Sequence, residues 1–253
     1  MTFKNKLISV IILAGGSGSR FSSIIEPPKQ LSKLNNEYIL IHIINNFKKY
    51  GFRHFIFPLG LKKNYFIKFF HSKKNISKYK FNILKKNISI KDLKSDKINI
   101  SIFDAGKKTN KLSRISKSLN FVINNDFIVA YGDDLSNIKI NQLVKKFYEN
   151  KKKAIITIYN KKSQYGHVIS NKKGVVQRFV EKPNYQYPIN IGNYLFSKDL
   201  IKKYKKTGHE LENDFLPIIV RKKHLISHEH KGYFYSINDK KELLIAQTKL
   251  KKK

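Results

Sequence analysis

The chain has 253 residues, 41% of them hydrophobic and 13% aromatic, enough for one large domain or two small ones around a true core. The absence of cysteine excludes a disulfide framework, a thiolate metal site and a cysteine nucleophile, and accords with a cytoplasmic location. Lys and Arg number 52 against 17 Asp and Glu, a net charge of +35, yet the lysines are spread along the whole chain and no helix-turn-helix, zinc-finger or RNA-recognition signature accompanies them. They are expected to be a solvated surface that draws small anions rather than a nucleic-acid interface, a basic nucleic-acid-binding protein staying as the last alternative.

The opening, MTFKNKLISVIILAGG, sets Lys4 and Lys6 before an apolar run of signal-peptide length. No cleavage site follows, and a strand over 7–13 buried on both faces accounts for the same residues. No later apolar run is long enough to span a membrane, so no membrane partner is expected. Helical spacing follows over 38–50, a strand at HFIFPL from His54, a helix from Lys62, a strand at INISIFD from Ile98, a helix at SRISKSLNFV, a strand at DFIVA from Asp126 and a helix from Ile138. The polar stretch 73–97 is expected to be an insertion or loop. Alternation of this kind predicts an α/β fold, a doubly wound, mostly parallel sheet of Rossmann type whose ligand site lies beyond the carboxyl ends of the strands.

From about residue 154 the strands shorten: AIITIY, HVIS, VVQRFVEK and NIGNYLF. Helical pieces come at SKDLIKKYKK and around 213–221, then a strand near YFYSIN and a closing helix from Asp239. No Pro/Gly/Ser linker divides the halves, so a single domain over 1–253 is expected, with a nucleotide-binding half over about 1–150 and a smaller sugar-binding half over about 151–253.

Three stretches carry chemistry. In VIILAGGSGSRFSSIIEPPKQL, Gly15, Gly16 and Gly18 let backbone N–H groups approach an anion. The dinucleotide fingerprint needs a glycine where Phe21 stands, and the P-loop needs a lysine-serine pair that is absent. What remains is a glycine turn with two cations, Arg20 and Lys29, the second on an arm stiffened by Pro27 and Pro28. Such a loop fits a triphosphate, or is a structural turn with two solvated side chains. YGDD, residues 131–134, sets Asp133 at the carboxyl edge of the sheet, where a carboxylate and substrate phosphates hold Mg²⁺, or where Gly-Asp-Asp merely turns the chain. In FVEKP and INIGN, Glu181 and Asn190 suit sugar hydroxyls and Lys182 a sugar phosphate.

Together LAGGSGSR, PPKQL, YGDD, the SQYGHV stretch, VEKP, INIGN and GYFYSIND resemble, in the same order and over nearly the whole chain, the sugar-1-phosphate nucleotidylyltransferases. Within that family ISIFDAG, YGDD and INIGNYLF are most similar to the glucose-1-phosphate cytidylyltransferases. The resemblance implies attack of a sugar 1-phosphate oxygen on the α-phosphorus of a nucleoside triphosphate, giving a nucleotide sugar and pyrophosphate, a step that rests on positioning and charge neutralisation. Nucleoside triphosphate and sugar 1-phosphate are the implied partners, with CTP and glucose 1-phosphate the expected pair, Mg²⁺ the cofactor, a homo-oligomer the possible assembly and polysaccharide synthesis the setting. By the same carry-over Leu13, Ala14, Gly15, Gly16, Ser17, Gly18 and Gly132 contact the nucleotide. Arg20 serves the departing pyrophosphate, Lys29 the α-phosphate and Asp133 the metal, while Gly166, Glu181, Lys182 and Asn190 hold the sugar phosphate.

Three departures from the family pattern stand out. Its second metal carboxylate falls on Asn238, an oxygen ligand without charge; the neighbouring Asp239 points away if the strand continues, and Asp134 is the candidate for the missing charge. The family's glycine-rich base-recognition turn is shortened at Thr109-Asn110-Lys111. Its aromatic pocket lacks tryptophan and has Phe234 nearby. The Asn238 departure keeps an alternative open, a nucleotide-sugar-binding protein of this fold with impaired catalysis.

Overall fold

The computed structural model describes residues 7–14, 27–84, 90–94, 96–151 and 153–251. In chain order the elements are β1 (Ser9–Leu13), β2 (Lys33–Leu34), β3 (Glu37–Tyr38), α1 (Ile39–Lys49), β4 (His54–Leu59), α2 (Lys63–His71), α3 (Lys73–Tyr79), β5 (Phe81–Leu84), β6 (Ile98–Asp104), α4 (Lys111–Ser118) and β7 (Asp126–Tyr131). There follow β8 (Asp134–Ser136), α5 (Ile140–Glu149), β9 (Ala154–Tyr159), β10 (His167–Ser170), β11 (Val176–Val180), β12 (Ile189–Ser197), α6 (Lys198–Tyr204), α7 (Leu216–Arg221), β13 (Leu225–His230), β14 (Phe234–Ser236) and α8 (Lys240–Lys251).

Eight strands form the main sheet in the order β13-β9-β12-β7-β1-β4-β6-β5. Every pairing in it is parallel except those of β12, which runs antiparallel to both β7 and β9. The expected doubly wound α/β architecture is the one observed. Alternation along the central strands explains the two cores: Val10, Ile12, Phe55, Phe57, Ile128 and Ala130 face the layer containing α1, α2 and α5. Ile11, Ile56, Phe127 and Val129 face the layer containing α4, α6 and α7. One polar stitch crosses this apolar centre. The ring of His54, buried on β4, meets Ser9 Oγ of β1 through Nδ1 and Ser101 Oγ of β6 through Nε2, each at 2.9 Å.

Two expectations need correction. The stretch 73–97 is not a plain loop: it holds α3 and β5, and β5 adds a parallel edge strand beside β6. Tyr79 and Phe81 pack their rings on Phe69 and Phe70, with Phe70 and Phe81 centroids 5.3 Å apart, so a four-residue strand is held by aromatic contacts made only in three dimensions. The helix before it ends on Lys80 in left-handed conformation (φ 55°) without the glycine that usually signals such a stop. The second addition is β13, LISHEH, whose polar composition suits the sheet edge it occupies beside β9. The expected helix at 213–221 begins earlier, as a π-helical turn over Leu211–Phe215 that runs into α7. Among the described residues no helix is long and apolar enough to cross a membrane.

Candidate active site

β1 and β7 are parallel neighbours with Leu13 opposite Tyr131, and the chain leaves both at the same edge. The Gly132 N–H donates to the Leu13 carbonyl at 3.1 Å. A Cβ on Gly132 would lie 3.1 Å from that oxygen and 3.2 Å from Ala14 Cβ, so glycine is what permits the two strand ends to come this close. Ala14 stands at the entrance to the glycine loop; Gly15, Gly16, Ser17, Gly18 and Arg20 lie outside the described residues. Where description resumes, Pro28 is extended (φ −62°, ψ 145°) and Lys29 opens a short 3₁₀ turn. The Lys29 ammonium forms an ion pair with Asp133, both side chains being at least three-quarters buried. Leu13, Ala14, Lys29, Gly132 and Asp133 therefore share one corner of the fold.

β8 and β14 build the rest of this corner. Asp134 pairs in register with Ser236, and the Ile237 N–H donates to the Asp133 carbonyl at 2.9 Å; Asn238 is the residue after Ile237. Burial and the charge of Asp133 push the Asp134 carboxyl up to about 7, against the hydrogen bond from Ser236 and the charges of Lys29 and Lys111. Two carboxylates crowded in this way favour a cation between or beside them. The Asn238 amide nitrogen donates to Ser236 Oγ at 3.2 Å, leaving its carbonyl oxygen as the other polar atom of the side chain. Asp239 is spent elsewhere: its Oδ1 accepts the Glu242 N–H at 2.8 Å at the start of α8, while Glu242 Oε2 accepts the Asn238 N–H at 2.6 Å. Asp239 thus turns from the corner through helix capping, not through strand alternation. Among the described residues no three His, Asp or Glu side chains gather into a metal cage. Asp133, Asp134 and an amide oxygen suit a hard cation that takes most of its ligands from phosphates and water.

A second group lies by the β10–β11 hairpin. Gly166 sits against Phe179 and Glu181: a Cβ there would come within 2.5 Å of the Phe179 ring and 3.0 Å of Glu181 Oε2. Glu181 and Lys182 are exposed and 3.4 Å apart, and Lys182 has a φ of 45°, an uncommon backbone for a lysine that the chain also uses at Lys80, Lys151 and Lys223.

Asn190, exposed on β12, is tied to the end of β7 through contacts that the sequence did not disclose. Its Nδ2 donates to Tyr194 OH and its Oδ1 accepts the Gly192 N–H at 3.0 Å. Tyr194 OH lies 3.2 Å from Tyr131 OH, and Tyr131 donates to Glu212, which also forms an ion pair with Lys111. Burial raises the Glu212 carboxyl, but hydrogen bonds from Lys111 and Tyr131 outweigh it and hold the group below the ordinary range. Desolvation pushes Tyr194 up to about 12 and Tyr131 well above the usual phenol range, so both remain neutral donors. Glu212 was not legible as part of a site: it lies 101 positions from Lys111, and HELEND gives no periodicity that marks one carboxylate. The shortened turn is tied down by its own side chains. Thr109 Oγ1 donates to the Ala105 carbonyl at 2.5 Å, and Asn110 caps α4 by accepting the Ser113 N–H at 2.8 Å.

The nucleotidyl transferase family model matches residues 9–252, and the chain belongs to that family. It is an enzyme of the sugar-1-phosphate nucleotidylyltransferase kind, moving a nucleotidyl group from a nucleoside triphosphate to a sugar 1-phosphate. It is 27% identical over 247 residues to the "Probable glucose-1-phosphate cytidylyltransferase" of Bacillus subtilis, covering 94% of each chain. It is 25% identical over 245 residues to the "Mannose-1-phosphate guanylyltransferase catalytic subunit beta" of Danio rerio, covering 94% of this chain and 63% of that one. In fold it is similar to HddC from Yersinia pseudotuberculosis complexed with GMP-PN, with a TM-score of 0.68 at 20% identity, covering 96% and 99% of the two chains.

Proposed function

We propose that the enzyme uses CTP and glucose 1-phosphate, forming CDP-glucose and pyrophosphate in the cytoplasm with Mg²⁺. The observation that carries the reading is the corner itself, where the ends of β1 and β7 meet with Lys29 and Asp133 between them. Full-length similarity to the Bacillus subtilis protein supports the cytidylyl branch. In this reading an oxygen of the sugar phosphate attacks the α-phosphorus as the bond to pyrophosphate breaks. Lys29 neutralises the α-phosphate, Arg20 the departing pyrophosphate, and Glu181, Lys182 and Asn190 orient the sugar phosphate. Asp133 and the Asn238 oxygen would hold Mg²⁺, with Asp134 adding charge. When bound, the ion offsets the charge that develops on the phosphates.

Pyrophosphate release across a grid of nucleoside triphosphates and sugar 1-phosphates tests this. The strongest turnover is expected with CTP and glucose 1-phosphate; a different strongest pair overturns the base or sugar assignment. Asn238 favours a second reading, a site with weakened metal affinity. A blank grid from folded protein that still binds a nucleotide sugar, together with activity gained in Asn238→Asp, would establish it.

A further inference from the structure

We propose that Glu212 is a positioning residue that sets which way the Asn190 amide faces the sugar, acting through Tyr131 and Tyr194. The proposal rests on the sugar-1-phosphate reading of the site. Glu212 is ionised and can only accept, so the single hydroxyl hydrogen of Tyr131 is committed to it. Tyr131 OH must then accept from Tyr194, whose own oxygen accepts from Asn190 Nδ2. Lys111 donates to Tyr131 OH at 3.3 Å as well as pairing with Glu212, closing the far end of the chain of donors.

The Gly192 N–H, 3.0 Å from Asn190 Oδ1, is satisfied in the same amide orientation. Gly192 itself has φ 68°, and a Cβ on it would lie 2.5 Å from the Tyr131 ring, so the turn and the ring are fitted together. With one amide hydrogen and one lone pair spent inwards, the exposed Asn190 offers the cleft one donor and one acceptor in a fixed sense. That arrangement suits two neighbouring sugar hydroxyls, and reversal of the amide would swap the pair. Glu212 comes from a π-helical turn, a local irregularity that aims one side chain out of the regular repeat.

The test uses the full chain. Glu212→Leu, which removes the acceptor of the Tyr131 hydroxyl, is expected to raise the KM for sugar 1-phosphate about tenfold with kcat and the KM for the nucleotide little changed, as loss of one oriented hydrogen-bond set would do. Tyr131→Phe, which leaves the Lys111–Glu212 pair intact, should do the same and serves if Glu212→Leu folds poorly. In an Asn190→Ala background neither change should add further loss, whereas a merely structural effect would add in full. The ¹⁵N side-chain amide signal of Asn190, assigned by its absence in Asn190→Ala, should move in both variants. An unmoved signal, or losses that add in the Asn190→Ala background, overturns the proposal. If the wild-type protein turns over no sugar 1-phosphate, the functional reading falls, and the amide signal still decides whether Glu212 positions Asn190.

Discussion

At the carboxyl edge of the sheet, Gly132, Asp133 and Lys29 are held between two parallel strands, an ion pair and the β8–β14 ribbon; by the hairpin, Glu181 and Lys182 stand exposed beside a ribbon covered on neither face. Val168, Ile169, Val176 and Phe179 of the hairpin are all at least half exposed, while the central strands β1, β4 and β7 contribute to two buried cores. The buried corner is preorganised for charge, because burial strengthens each electrostatic contact there. The hairpin is exposed along both strands and, in the proposed function, presents side chains to the sugar phosphate. Substitutions in the first region should therefore change rate or stability, and those in the second should change binding alone.

The largest expected effect is on turnover. Asp133→Asn removes the carboxylate that faces Lys29, and kcat should fall roughly 10²- to 10³-fold, as loss of one preorganised charge-stabilising group typically produces. A near-normal kcat in steady-state assays would take Asp133 out of the reaction. Gly192→Ala forces a side chain into a φ of 68° and against Tyr131, and should cost roughly 3 kcal/mol in urea unfolding. A loss below about 1 kcal/mol would mean that the turn relaxes freely.

His54 gives the sheet a pH dependence. Burial lowers its pKa from 6.5 to about 4. The neutral ring is the form that fits between Ser9 and Ser101, so the unfolded chain binds a proton first as pH falls. Stability from this group is complete above about pH 6.5 and lost progressively towards pH 4, by roughly 3 kcal/mol in all. Urea midpoints from pH 7.5 to 4 should show that slope, flattened in His54→Asn. The smallest stability effect belongs to Glu181→Ala: a thermal midpoint change worth less than about 0.5 kcal/mol, with the KM for sugar 1-phosphate raised about tenfold. Unfolding at a much lower temperature would show the hairpin to be part of the core after all.

Much of the fold was legible because burial on both faces writes itself as continuous apolar runs. SVIIL, HFIFPL and DFIVAY lie where the sequence placed strands, and the helical spacing before Tyr50 ends within a residue of α1. β5 escaped because its place depends on Phe81 packing against rings on α2 and α3 and on pairing with β6, neither of which shows in four residues. Candidate site residues were legible where several chemically distinctive types stand close together in the chain, as in YGDD and FVEKP. Glu212 was not, since nothing local distinguishes a carboxylate that reaches Tyr131 from one that reaches water.

Local sequence by itself determined the periodicities, and through them the layered α/β architecture and the edge on which the candidate site lies, because hydrophobic burial acts on every residue of a strand or helix. Tertiary structure alone decided that Lys29 meets Asp133 and that Glu212 is joined to Asn190 through Tyr131 and Tyr194. Ion pairs and directed hydrogen bonds join single atoms at distances of about 3 Å, and only the folded chain brings partners some hundred positions apart to that distance.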